Sequence, residues 1–391
     1  MKQDLEINGI SLDTEEMVKK CADKQCTEEI VNPFSSFFEI MPEVTSIGGW
    51  AFYNRSDLTT VTIPKGVTSI GEFAFAGCSN LASIVIPEGV TSIGRSAFAC
   101  CTSLATINIP ESVTSIGNGA FEHCNCLATI TIPESVTNIS NFAFDGCSSL
   151  IAITIPKSVT KIGDLAFSNC SNLIINIPEW VETIGKGAFC NVHSITVDKK
   201  NAKYDSRDNC NAVIETNSNT LVAGTNNTII PDTVTKIGDY AFSGCNSLST
   251  ITIPENVTSI GDSAFENCIR LNTTIPEDIV HIEQYAFSGC SNMDNVIIPK
   301  SVKNIGRGAF EGCTIKSLTL IGNPSIEDEA FCICERLKDV YCYSEEVPEA
   351  GNETFAYLEL SALTLHVPNE SIEKYRITEP WYRFGKIIPI E

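Results

Sequence analysis

Twelve Ala-Phe dipeptides recur along this chain, and their spacing constrains its fold more than any other feature. The first five steps between successive phenylalanines are 23 residues each, and the later steps are 22, 53, 23, 22, 23 and 21 residues. A repeat of this length is typical of a solenoid, in which each unit buries its apolar face by stacking on its neighbours. The phenylalanines are Phe52, Phe75, Phe98, Phe121, Phe144, Phe167, Phe189, Phe242, Phe265, Phe287, Phe310 and Phe331.

The segment from Leu81 to Cys101, LASIVIPEGVTSIGRSAFACC, represents one coil. Its L-x-x-I-x-I part alternates as a strand does, and Pro87 ends that strand because proline has no N–H for a ladder. The V-T-S-I part predicts a second short strand, and Phe98 is expected in a short helical turn between coils. Repetition predicts a β-rich α+β solenoid of about 12 coils of ~23 residues, with two parallel β-sheets and a cap at each end.

The consensus L-x-x-I-x-I-P-x-x-V-T-x-I-G-x-x-A-F-x-x-C resembles the BspA-like (Treponema-type) leucine-rich repeat over roughly residues 44–340. Members of that family are secreted or surface-anchored adhesins of host-associated bacteria. The resemblance implies a leucine-rich-repeat solenoid that is exported and binds host or bacterial proteins. It implies no enzymatic activity and no cofactor, because the family carries no catalytic residue.

Ten of the eighteen cysteines stand three residues after an Ala-Phe phenylalanine, so stacking should align them in one column. Free cysteine behaves as a small buried hydrophobe, and we expect these thiols to be reduced and unreactive. The ten are Cys78, Cys101, Cys124, Cys147, Cys170, Cys245, Cys268, Cys290, Cys313 and Cys334. Whether Cys21, Cys26, Cys332 or Cys342 forms a disulfide is left open at this point.

Three regions interrupt or flank the repeat. Residues 1–43 are expected to form an N-terminal cap, with a helix from Thr14 to about Ala22, and residues 341–391 a repeat remnant and C-terminal cap. Residues 44–340 carry the repeats, with an insertion at about 198–228 in which two apolar stretches around Asn-Ser-Asn predict a β-hairpin. The insertion is either a widened coil or a protrusion that contacts a ligand.

The net charge of −22 argues against binding of nucleic acid or of anionic membrane surfaces. No apolar run approaches the ~20 residues of a bilayer-spanning helix, so membrane insertion is not expected. The first residues, MKQDLE, lack the regions of a signal peptide. An intracellular protein and an exported protein without its leader are therefore both open, and the resemblance favours a secreted or cell-surface location.

No nucleophile, phosphate-binding or dinucleotide-binding motif occurs in the sequence, and we predict no catalytic, cofactor or metal site. His123-Cys124-Asn125-Cys126 has the appearance of half a zinc site, but a second pair at suitable spacing is missing. The segment is therefore interpreted as a coil turn with an exposed histidine.

Binding is instead expected on the outward positions of the L-x-x-I-x-I strands, which are small and neutral. The predicted face for a host or bacterial protein partner comprises Thr60, Thr62, Ser83, Thr106, Asn108, Thr129, Thr131, Thr154, Thr250 and Thr252. The alternative is glycan binding, through the insertion at Tyr204 or through Trp381 and Tyr382 in the C-terminal cap. A monomer is expected in either case.

Overall fold

The computed structural model describes residues 6–7, 10–11 and 37–390, with side chains from residue 38 onward. The predicted helix at 14–22 and the thiols of Cys21 and Cys26 lie outside the described residues. The chain divides into two compact units, Met1–Ile175 with Trp180–Ala188 (unit 1) and Asn176–Glu179 with Phe189–Glu391 (unit 2).

Unit 1 is built from short strands, mostly two per coil. Its strands are β1 (Glu6–Ile7), β2 (Ile10–Ser11), β3 (Phe37–Glu39), β4 (Ser46–Ile47), β5 (Thr60–Thr62), β6 (Ser69–Ile70), β7 (Ser83–Val85), β8 (Ser92–Ile93), β9 (Thr106–Asn108), β10 (Ser115–Ile116), β11 (Thr129–Ile130), β12 (Asn138–Ile139), β13 (Lys161–Ile162) and β15 (Thr183–Ile184), and β14 (Ile174–Ile177) lies at the division between the units. Strands β3, β5, β7, β9 and β11 form one parallel sheet, and β4, β6, β8 and β10 form another.

Unit 2 has the same organisation with longer strands near its C-terminus. Its strands are β16 (Ser194–Val197), β17 (Tyr204–Asp205), β18 (Val213–Glu215), β19 (Thr220–Ala223), β20 (Lys236–Ile237), β21 (Ser259–Ile260), β22 (His281–Ile282), β23 (Asn295–Ile298), β24 (Asn304–Ile305), β25 (Ser317–Leu320), β26 (Ser325–Ile326), β27 (Asp339–Cys342), β28 (Thr364–Val367) and β29 (Lys386–Pro389). Strands β23, β25, β27, β28 and β29 form a five-stranded parallel sheet. The helix α1 (Ile372–Ile377) and short 3₁₀ segments at Arg207–Asn209, Leu360–Ala362, Asn369–Ser371 and Trp381–Arg383 complete the secondary structure of the described residues.

Side-chain alternation along each strand places the core between the sheets. In β5, Val61 is buried while Thr60 and Thr62 are exposed, and β7 and β9 repeat this pattern. The described chain makes about 15 turns, more than the 12 expected, because coils such as those of β3 and β28 lack an Ala-Phe dipeptide. The fold is the predicted parallel-strand solenoid of ~23-residue coils.

The Ala-Phe segment forms a turn rather than a helix, and it adds a further ladder of hydrogen bonds between coils. Within the turn the N–H of Cys101 donates to the carbonyl of Phe98, a 3₁₀-type bond. Ser96 and Cys100 adopt left-handed φ angles of 49° and 58°, which prevent a continuous helix. Between coils the N–H of Phe98 donates to the carbonyl of Ala120 at 2.9 Å. Neighbouring coils are therefore hydrogen-bonded along the turns as well as along the sheets.

The phenylalanines form a column of parallel rings in each unit. From Phe52 to Phe167 in unit 1, successive ring centroids lie 5.0 to 5.6 Å apart with interplanar angles of 1° to 7°. The column of unit 2 runs from Phe242 to Phe331 and continues to Phe355. Phe355 follows a threonine, so it is not part of an Ala-Phe dipeptide. Offset parallel stacking of this kind stabilises aromatic pairs beyond the area that they bury.

All ten column cysteines are buried, and most of their thiols have a defined hydrogen-bond acceptor. The Sγ of Cys124 donates to the carbonyl of Phe98, in the preceding coil, at 3.2 Å. The same carbonyl also accepts the N–H of Cys101. Each such thiol therefore occupies the second acceptor position of a phenylalanine carbonyl, which a purely apolar side chain could not do. Cys332 and Cys342 are likewise buried free thiols.

The insertion forms a hairpin that belongs to a coil. Strands β18 and β19 are antiparallel, and β19 then pairs in parallel with the repeat strand β20, with Leu221 opposite Ile237. Leu221 and Ile214 are fully buried. The second arm of the hairpin therefore occupies the place of a repeat strand. Of the two alternatives, the insertion is a widened coil and not a protrusion.

Candidate binding surfaces

Eight of the predicted face residues lie in unit 1 and are exposed, and we call this set the threonine face; six lie in strands, and Thr131 and Thr154 lie just outside the described strands. Its members are Thr60, Thr62, Ser83, Thr106, Asn108, Thr129, Thr131 and Thr154, all exposed. Thr60, Ser83, Thr106 and Thr129 stand directly opposite one another on successive strands. The parallel register therefore repeats a small polar side chain once per coil, about every 4.8 Å.

Exposed aliphatic side chains extend this surface, and residue-type reasoning missed them. Val85, between Thr62 and Asn108 in the register, is 72% exposed. Ile151 and Ile174 are 57% and 56% exposed. Their outward positions in the repeat identify them as surface residues, but the prediction was limited to outward residues that are small and neutral. They supply apolar area that the threonine face alone lacks.

Thr250 and Thr252 lie in unit 2, where both are exposed but outside the described strands. The next coil explains the irregular backbone there. Its segment Leu271-Asn-Thr-Thr-Ile275 is one residue shorter than L-x-x-I-x-I and lacks the central isoleucine. The Thr273 hydroxyl donates to the carbonyl of Ile251 at 2.8 Å in place of a regular ladder bond. The two threonines are therefore surface residues of a loop-like segment, not members of a sheet face.

The outer face of the five-stranded sheet in unit 2 carries a different surface, which we call the aromatic patch. Its members are Ile297, Tyr341, His366 and Ile388, which with Thr319 form one register row across the sheet. The rings of Tyr341 and His366 stack at 4.2 Å and 12°. Ile297 and Ile388 are exposed at the two ends of the row.

An acidic side chain orients the histidine of this patch. Asp339 precedes Tyr341 by two residues on the same face of β27, and its Oδ1 is 3.2 Å from Nε2 of His366. Stacking against the ring of Tyr341 and the contact of Nε2 with the carboxylate fix the imidazole ring. The strand alternation in Asp339–Cys342 and Thr364–Val367 is a signal for this patch. Residues 341–391 were interpreted as a repeat remnant and cap, so their outward side chains were not among the predicted binding residues.

The glycan patch expected from Tyr204, Trp381 and Tyr382 is not a surface. Trp381 is fully buried, and its Nε1 donates to the carbonyl of Pro348 at 3.0 Å. Its ring packs edge-on against Phe355 at 5.7 Å, so it closes the core of the cap. Tyr204 is only 3% exposed. Of the three residues only Tyr382 is exposed, so they do not form a shared patch.

A stack of coils with parallel strands, a buried phenylalanine column and an exposed strand face defines a leucine-rich-repeat solenoid. The BspA type leucine-rich-repeat region matches residues 34–148, 115–209, 214–338 and 271–378, in six copies. Since these matches cover most of the chain, the protein belongs to the BspA-type leucine-rich-repeat family.

Solved structures agree with this assignment. A leucine-rich cell surface protein from Faecalibacterium prausnitzii is 28% identical with a TM-score of 0.62, over 91% of this chain and 88% of that one. A leucine-rich-repeat protein from Bacteroides ovatus is 28% identical with a TM-score of 0.52, over 93% and 94% of the two chains. The pneumococcal vaccine antigen PcpA, 20% identical with a TM-score of 0.63 over 93% and 91%, shares the fold.

No curated relative matches the chain. Within the part of the chain that the structure describes, the helices fall short of the length and apolarity needed to cross a bilayer.

Proposed function

We propose that this protein is a non-enzymatic binding module of a secreted or cell-surface bacterial protein, and that it presents the threonine face to protein partners in an adhesin-like role. The observation that carries the proposal is the exposed, regularly spaced strand face of unit 1. The similarity to a leucine-rich cell surface protein from Faecalibacterium prausnitzii supports the location.

The composition of the threonine face indicates how binding would occur. Its side chains are short and hold little conformational entropy, so a partner strand or loop can approach the sheet closely. The face lacks the tryptophan, tyrosine and arginine that anchor tight interfaces. Binding through it would be broad and modest in affinity, with Val85, Ile151 and Ile174 supplying apolar contact, and several copies on one cell surface would raise the avidity.

The aromatic patch offers the anchor that the threonine face lacks. Tyrosine is enriched among residues that dominate binding energies. Tyr341 is already held in place by His366, so little side-chain entropy remains to be lost on binding. We therefore assign the aromatic patch a second protein-binding role, independent of the threonine face.

The test measures binding of labelled protein to a panel of immobilised host extracellular-matrix proteins and to epithelial cells. The variant Thr106→Arg/Thr129→Arg/Thr131→Arg places bulk on the threonine face. The matched control Thr91→Arg/Thr114→Arg/Thr137→Arg makes the same charge change at exposed positions of neighbouring rows outside that face.

We expect the face variant to lose at least about tenfold in affinity and the control to bind normally, both with an unchanged circular dichroism spectrum. Normal binding by the face variant, with a loss only in Tyr341→Ala, would transfer the function to the aromatic patch. Normal binding by all three variants would refute both assignments.

A further inference from the structure

The turn beside the cysteine column places His123 in an exposed position with a fixed backbone. The residue before each of the ten column cysteines has a left-handed φ, and for His123 the angle is 56°. Its N–H donates to the carbonyl of Asp145, in the next coil, at 2.6 Å. Because this bond ties the two turns together, Glu122 and His123 on one coil lie beside Asp145 on the next.

The imidazole ring of His123 packs against Gly146. A Cβ added at Gly146 would lie 2.2 Å from Nδ1 of His123, so only glycine leaves room for the ring in this orientation. The Nε2 atom of the ring lies 4.0 Å from Oε1 of Glu122. The ring therefore packs with one nitrogen over the glycine and presents the other to a carboxylate.

Asp145 completes a group of three donor side chains. Glu122, His123 and Asp145 each offer one ligand atom, and these three atoms lie within 4.8 Å of one another. Ligand atoms of a tetrahedral zinc ion bonded at about 2.0–2.1 Å are separated by about 3.4 Å. The three side chains are exposed or half-buried, so adjustment of their χ angles can bring the ligand atoms closer together. The Nδ2 of Asn169 also donates to Oδ1 of Asp145 at 3.3 Å, which restricts the carboxylate.

We propose that Glu122, His123 and Asp145 bind a zinc-class divalent cation, a late first-row transition metal, and that the ion bridges two successive coils. An imidazole with two carboxylates suits zinc, nickel or copper, whereas calcium and magnesium prefer oxygen ligands alone. Three protein ligands leave at least one coordination position for water or for a donor group of a bound partner.

This site differs from the half zinc site that the run His123-Cys124-Asn125-Cys126 suggests. Cys124 is buried in the cysteine column with its thiol bonded to a carbonyl, so it faces away from the exposed turn. The third ligand is instead 23 residues from Glu122 in sequence, one repeat further on. The same turn in another pair of coils has Glu266, Asn267 and Ser288, which keeps the backbone bond and the glutamate but lacks the histidine and the aspartate.

The test uses the full chain with 13C-labelled histidine and with accessible thiols alkylated first, since thiolates are good zinc ligands and Cys100 and Cys126 are exposed. Zinc chloride is titrated while the ring signals of the four histidines are followed by NMR. The His123→Asn variant, which introduces the residue found at position 267, assigns the His123 signal. Competition with a fluorescent zinc chelator gives the Kd.

We expect the His123 signal to shift and to saturate at one equivalent of zinc. Glu122→Gln and Asp145→Asn should each weaken the Kd about 10- to 100-fold, whereas the matched control Glu266→Gln should leave it unchanged. A His123 signal that does not move would overturn the proposal. A Kd that is the same in Glu122→Gln, Asp145→Asn and the unaltered chain would do so too, because it would indicate a lone histidine that binds the metal without the carboxylates.

Discussion

The cysteine column should make this protein unusually sensitive to alkaline pH. Burial raises the pKa of Cys147 from an ordinary 9.0 to about 12, and it raises the pKa of the other nine column thiols in the same direction. A thiol that stays protonated in the folded state but ionises in the unfolded state favours folding fully only below the unfolded pKa. This contribution is lost as the pH rises from 9 towards 12.

The magnitude follows from proton linkage. At about pH 9.5 each such thiol has lost about 0.8 kcal/mol of its contribution, and ten thiols together about 8 kcal/mol. That loss is comparable with the whole free energy of unfolding of an ordinary domain, about 5–15 kcal/mol. We therefore expect the urea midpoint to fall steeply between about pH 8.5 and about pH 10.

The variant Cys147→Ala separates this effect from general alkaline denaturation. It loses the thiol bond to the carbonyl of Phe121 and some buried surface, which should cost about 1–2 kcal/mol at about pH 7.5. At about pH 9.5 the unaltered protein carries the ionisation penalty and the variant does not, so the cost should shrink by about 0.8 kcal/mol. Urea unfolding with a reductant present measures both values, and Cys126→Ala, at an exposed thiol, is the control. An equal cost of Cys147→Ala at both pH values would refute the reasoning.

Two further predictions concern packing between coils. Phe121→Ala removes a fully buried ring stacked at 5.6 Å on Phe98 and 5.5 Å on Phe144, and it should cost about 3–5 kcal/mol in urea unfolding, against less than about 1 kcal/mol for Tyr357→Ala at an exposed ring. Gly94→Ala should lower the free energy of unfolding by about 1–3 kcal/mol and lower the Tm, because the new Cβ would lie 2.5 Å from the backbone carbon of Gly71 in the preceding coil. A Tm equal to that of the unaltered protein would mean that the coils can separate there.

The repeat arithmetic predicted the architecture because the coil is a local unit. Pro87 and the alternation before it predict where β7 ends, and the same argument applies to most equivalent coils, with the segment around Thr250 and Thr252 as an exception. The repeat spacing did not predict why Gly94 is a glycine. Its φ is not in the left-handed region, and the close approach of Gly71 explains the glycine, a distance that only the stacked coils reveal.

The surfaces were harder to predict for a different reason. Whether Trp381 is a binding residue or a core residue depends on Phe355, a residue outside the Ala-Phe pattern, which packs against it. Val85 was missed because its type argues for the core, although its strand position places it outside. The proximity of Asp145 to His123 follows from the 23-residue period, but the orientation of the ring depends on Gly146.

The hydrogen bonds between turns have a consequence for how such a chain can change its length. The N–H of Ser96 donates to the carbonyl of Asn118, that of Phe98 to Ala120 and that of Cys100 to Glu122, each 22 residues further on. Because these bonds and the sheet ladders all relate equivalent atoms of adjacent coils, a deletion or duplication of one whole 23-residue period restores every one of them at the junction. Loss of one residue shortens a coil without removing the ladder, since the N–H of Phe265 still donates to the carbonyl of Ala286 across a 22-residue step. The molecule is therefore able to gain or lose reach only in whole steps of about 4.8 Å.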